Sequence, residues 1–148
     1  MEEKSVFESF ELNLTPDILG FLKETSTWTY FLSILGFVGI GLMILGGVFF
    51  SVVMKLMPGG NPYADLGFDM SYFGMIYVVT ALLYFFPVLY LFNFSRKMKR
   101  ALNSNTNSDL TAAFSNLKSH YKYIGVFAIG IMSLYVLLLV FTMIAGAM

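Results

Sequence analysis

The apolar positions of this chain fall into three unbroken runs, residues 30–54, 72–95 and 123–148, and none of them contains Asp, Glu, Lys, Arg or His. Each run exceeds the roughly 20 residues that a helix needs to cross a hydrocarbon core. None shows the period-two alternation of a barrel strand, and only helices and closed barrels satisfy their backbone polar groups in lipid. The pattern therefore predicts an all-α membrane protein with three transmembrane helices in a single membrane domain, residues 1–148.

The segments between the runs carry weaker signals. Residues 1–13 read as a flexible N-terminal tail. "LTPDILGFLKET" has a helix start, with Thr15 as N-cap, Pro16 at the first helical position and Asp17 in the positive first turn. Ile18, Leu19 and Leu22 share a face, which predicts a short interfacial helix over 15–27 leading to Trp28 and Tyr30 at headgroup level. Residues 55–71 contain Pro58, Gly59, Gly60 and Pro62 and read as an external loop. Asn61, Asp65 and Asp69 lack the dense oxygen spacing of a calcium loop, so this loop is read as a solvated turn.

Between the second and third runs, residues 96–122 read as a basic loop followed by an amphipathic helix. "LNSNTNSD" is polar and turn-forming. Beyond it Leu110, Ala113, Phe114, Leu117 and Tyr121 recur at helical spacing. This helix is expected to lie on the membrane or against the span ends and to lead directly into the third span.

Composition agrees with the pattern. Apolar residues make up 57% of the chain and charged residues 12%, with a mean hydropathy of +0.74. A soluble domain of this size could not hide that much apolar surface. Without cysteine, there are no disulfides and no thiolate chemistry. The leading residues are acidic and the first apolar run starts late and is long, which does not fit a secretory signal.

The formal net charge is zero, yet four of the nine Lys and Arg residues lie in "FSRKMKRAL". Lys and Arg are retained on the cytoplasmic side of a membrane, and the bias is counted near span ends. Loop 55–71 offers Lys55, whereas the other connection offers Arg96, Lys97, Lys99, Arg100, Lys118 and Lys122. The expected topology is therefore N-terminus cytoplasmic and C-terminus external. The same six bases are candidates for contact with anionic lipid headgroups. A nucleic-acid partner is not expected, since the chain is not basic overall and has no base-stacking motif.

Within the first span, Ser33, Gly36, Gly39, Gly46, Gly47 and Ser51 fall on one side of a helix turning about 100° per residue. Small residues let helices approach closely in lipid, so this stripe is the expected packing face, within the chain or against a second subunit. Pro87 lies inside the second span and is expected to kink it, freeing the carbonyl near Leu83. Hydroxyl and phenol groups such as Tyr77, Tyr84, Tyr90 and Tyr135 could bond that carbonyl or bridge helices.

No residue is a candidate for catalysis, for a cofactor or for a metal. There is no P-loop, GxSxG or HExxH pattern and no carboxylate pair. His120, the one histidine, has no carboxylate neighbour for acid–base work and reads as structural or solvated. Transporters and proton relays normally carry ionisable side chains within their spans, and these spans carry none.

Three stretches, "GFVGIGLMILGG", "ALLYFFPVLYLFNFSRKMKRAL" and "LTAAFSNLKSHYKYIG", together resemble a family of small bacterial integral membrane proteins classed as a domain of unknown function. The resemblance implies a three-helix protein of the bacterial inner membrane with a polar helical insert, and no activity. The expected role is a non-enzymatic accessory or assembly subunit whose partners are membrane lipids and a membrane protein or a second copy of the chain. The alternatives are a small homo-oligomeric channel or transporter and an anionic-lipid-sensing protein.

Overall fold

The structure is a computed structural model, and it describes residues 15–56 and 69–146. These form three helices: α1, Pro16–Leu56; α2, Ser71–Ser104; and α3, Asn107–Gly146. All three are long and apolar enough to cross a membrane, and the described residues contain no strand. The tail 1–13 and most of the loop 55–71 lie outside the described residues.

The helices are longer than the apolar runs. The segment expected as a separate interfacial helix, 15–27, forms the first turns of α1. Thr15 does cap it: its hydroxyl accepts from the Ile18 N–H at 3.4 Å. No glycine or proline interrupts the passage from Leu22 to Phe31. The hydroxyls of Ser26 and Thr27 both donate back to the Lys23 carbonyl, so this polar stretch satisfies itself without leaving the helix.

The region expected as a basic loop is also helical. Arg, Lys, Met, Ala and Leu are strong helix formers, and "SRKMKRAL" extends α2 beyond the apolar run to Ser104. The connection to α3 is reduced to Asn105 and Thr106. Asn105 takes a left-handed conformation at φ 49°, and its N–H donates to the Ala101 carbonyl. Asparagine tolerates that conformation and ends helices there. The hairpin is braced by an ion pair from Arg100 to Asp109 at 3.8 Å; an exposed pair of this kind is worth at most about 1 kcal/mol. From Asn107, α3 runs without interruption through the amphipathic stretch and into the apolar one.

The central helix is α2. Both α1 and α3 pack along it, and they do not pack along each other. At the hairpin end Phe94, Met98 and Ala113 form a small buried core, with Leu22, Leu102, Leu110 and Leu117 against it. Leu22 is where α1 reaches the α2–α3 pair. Farther along, α3 is left alone: every described residue from Ala128 to Gly146 is exposed.

The α1–α2 seam follows a regular rule. On α1 the buried residues are Ser26, Thr29, Ser33, Ile40 and Gly47, with Gly36 meeting α2 between them. These positions step by three, four and then seven residues, the 3.5-residue period of helices that wind around each other in a left-handed sense. On α2 the buried or contacting positions Gly74, Ala81, Val88 and Ser95 recur at the same period. Almost all are small, which allows close approach where lipid supplies no hydrophobic drive between helices.

Candidate functional site

Two features of α2 organise the molecule, and each depends on what one backbone leaves open. The first is a close crossing near the end of α1. A Cβ built on Gly47 would lie 2.7 Å from the Gly74 carbonyl oxygen, and one built on Gly74 would overlap the Gly47 carbonyl oxygen and the Ser51 hydroxyl. Each glycine faces the other's carbonyl, so neither position has room for a side chain. Such contact also favours weak Cα–H···O bonds.

The predicted packing residues divide accordingly. Ser33 is buried, with its hydroxyl donating to the Tyr30 carbonyl at 2.7 Å. Gly36 meets Val88, Gly47 meets Gly74 and Tyr77, and Ser51 meets Gly74. Gly39 and Gly46 meet nothing within 4 Å. Gly46 instead lines an open apolar cleft with Leu42, Phe50, Phe73 and Tyr77. On a helix turning about 100° per residue, Ile40 and Gly47 fall within the arc set by Ser26, Thr29, Ser33 and Gly36, whereas Gly39 and Gly46 fall about 60–80° outside it. Sequence reasoning missed Gly74, Ser26, Thr29 and Ser95; the small-residue heptad on α2 was the signal for the first and last.

The second feature surrounds Pro87. The proline lacks an N–H, so the Leu83 carbonyl has no helical donor. In the structure the Tyr123 hydroxyl of α3 donates to that carbonyl at 3.0 Å. Three residues away along α3, His120 Nδ1 lies 2.8 Å from the Pro87 carbonyl oxygen. A carbonyl only accepts, so Nδ1 carries the proton in this bond, and in the neutral ring Nε2 is left as an acceptor. Among the groups expected to be able to make such a bond were Tyr77, Tyr84, Tyr90 and Tyr135, with Thr80, Ser133 and Thr142. Tyr123 takes the role because the antiparallel register of α2 and α3 brings it, and none of the others, opposite Leu83.

Beside this pair of bonds the α2–α3 seam opens into a cleft of about 340 Å³. It is lined by Leu83, Pro87 and Leu91 on one side and by His120, Ile124 and Ile131 on the other. His120 is the residue in this lining with an uncommitted ring nitrogen, and Nε2 has no hydrogen-bond partner among the described residues.

The six predicted bases divide into two groups. On α2, Lys99 Nζ lies 4.5 Å from the centre of the Tyr30 ring and Arg96 lies 5.5 Å from that of Phe92. The two rings stack with centres 5.6 Å apart. The cations and the aromatic pair thus join α1 to α2 where the apolar belt of α1 begins. Arg96, Lys97 and Arg100 stand at spacings that place them on one outward side of α2. Lys118 and Lys122 are exposed on α3, on either side of His120 in sequence. Among the described residues no group of three His, Asp or Glu side chains converges as a metal site would require.

No family model, curated protein or solved structure matches this chain.

Proposed function

We propose that the protein is a non-enzymatic accessory or assembly subunit of a membrane complex, and that the second half of α3 is the element its partner engages. One observation carries the reading. The α1–α2 pair is joined at backbone distance through Gly47 and Gly74, while α3 from Ala128 to Gly146 is exposed on every side. Two helices so closely matched form a platform, and the third offers a full helical surface to another transmembrane segment. Ser133 and Thr142 bond back to their own helix, to Ile129 and Leu139, so the surface is van der Waals in character, as suits association within lipid.

The resemblance to small bacterial membrane proteins and the placement of the bases support the bacterial cytoplasmic membrane. They also support the hairpin end of α2 and α3, together with the N-terminus, on the cytoplasmic side. Co-purification from native membranes in mild detergent, followed by mass spectrometry, tests the role. A stoichiometric membrane-protein partner lost on Leu134→Arg is the expected result. A monodisperse monomer without partner under all extraction conditions overturns it.

A further inference from the structure

We infer that the α2–α3 cleft holds one acyl chain of a membrane lipid, with a headgroup hydroxyl donating to His120 Nε2. The inference rests on the three-helix membrane architecture and is independent of the accessory role.

The shape of the cleft makes the case. It runs along α3 from His120 to Ile131, about 16 Å at 1.5 Å per residue. That is about half of a hydrocarbon core roughly 30 Å thick, the depth of one leaflet. Its polar and apolar ends also match a leaflet. His120 stands at the end where Lys118, Lys122 and the hairpin are, and from Tyr123 onward α3 has no charged residue. Beneath His120 the lining is Ile124, Phe127, Ala128 and Ile131 against Leu83 and Tyr84, with Leu91 on the hairpin side of Pro87. The volume of about 340 Å³ lies at the low end of ligand sites, which run from about 300 to 1,000 Å³, and suits one chain better than two.

The chemistry of the head follows from which groups are already committed. The Tyr123 hydroxyl is bonded to Leu83 and His120 Nδ1 to Pro87. That leaves His120 Nε2, an acceptor in the neutral ring, and the Tyr84 hydroxyl, which lines the cleft about one turn farther from the hairpin; the head that meets the ring nitrogen is a hydrogen-bond donor. Hydroxyls of a glycerol head supply one; a choline head does not.

The test uses the full chain in nanodiscs of phosphatidylcholine doped with equal amounts of phosphatidylglycerol and diacylglycerol, with retained lipid counted by native mass spectrometry after transfer to detergent. Phosphatidylglycerol has headgroup hydroxyls and a phosphate, and diacylglycerol has a hydroxyl alone. Both should be retained about fivefold over phosphatidylcholine, the worth of one net hydrogen bond. His120→Asn keeps a donor for the Pro87 carbonyl but has no ring acceptor, and should abolish the preference. Ala128→Trp fills an exposed position of the cleft without touching either hydrogen bond, and should abolish retention of all three lipids. Retention of phosphatidylglycerol alone would assign the site to the phosphate charge and overturn the hydroxyl reading. Equal retention of all three lipids would overturn the bond to His120 Nε2, and retention unaffected by Ala128→Trp would overturn the site itself.

Discussion

The Tyr123 hydroxyl occupies the place of the N–H that Pro87 lacks, donating to the Leu83 carbonyl at 3.0 Å from the neighbouring helix. A proline in a membrane helix leaves one backbone acceptor without a donor, and hydrocarbon offers no water to replace it. Here the missing bond is supplied in trans, and the repair ties α3 to α2.

Tyr123→Phe should therefore destabilise the α2–α3 pair. Interhelical hydrogen bonds in membranes average about 0.6 kcal/mol and reach about 1.7, and the loss here is expected towards the upper end because the acceptor is left bare. Reversible unfolding in mixed micelles measures it. The cost should shrink in a Pro87→Ala background, where the helix supplies its own N–H to Leu83. A double-mutant cycle with no coupling would show that the two groups do not serve one carbonyl.

Glycine positions in α1 and α2 should not behave alike. Gly74→Ala forces a methyl group into the Gly47 carbonyl and the Ser51 hydroxyl, an overpacking expected to cost about 1–3 kcal/mol. Gly39→Ala and Gly46→Ala enter open space and should stay within about 0.5 kcal/mol of the parent. Equal losses at all three positions would mean that the seam lies elsewhere.

How deep each helix sits in the bilayer can be read from the contacts with one turn of α2. Gly36 meets Val88, Phe37 contacts Phe85, and on the other side His120 meets Pro87. Phe37 and Lys122 are thus at nearly the same height. On α1 the apolar belt starts at Trp28 and Tyr30, about 10 Å above Phe37; on α3 it starts only at Tyr123. We expect the aqueous boundary to cross the bundle obliquely, because an ammonium inside hydrocarbon costs several kcal/mol. The chain contains no cysteine, so single cysteines report cleanly. Lys122→Cys should react quickly with a membrane-impermeant maleimide applied from the hairpin side, and Phe37→Cys should be protected. Comparable rates at both would contradict the oblique boundary.

Orientation gives a further expectation. A phosphatase fused after Met148 should be active, and one inserted at Asn105 inactive, when the enzyme works only outside the cytoplasm. The reverse pattern would invert the proposed topology.

The three membrane-crossing helices and the Thr15 cap were legible because composition and local chemistry decide them. The extent of the helices was not. The run "RKMKRALNS" reads as a loop by hydropathy yet consists largely of strong helix formers, and "KETST", expected to end a separate interfacial helix, continues into the first span with its hydroxyls bonded back to Lys23. The glycine stripe was half right. Gly36 and Gly47 lie on the seam, whereas Gly39 and Gly46 stand at the edge of a wide small-residue arc and meet nothing, and which part of that arc faces a helix is decided by the partner's residues. The Tyr123–Leu83 bond needed the register of α2 against α3, which no single segment contains. Pro87 showed that a carbonyl would be free, but not which hydroxyl would reach it.

The separation of α3 from its neighbours beyond the proline turn has a mechanical meaning. The bond from Tyr123 to Leu83 is the last hydrogen bond described between α3 and α2, and from there to Gly146 the helix runs about 35 Å. Over that length no residue beyond Phe127 is buried against α1 or α2. A turn of about 10° at Tyr123 carries the far end some 6 Å sideways at this length.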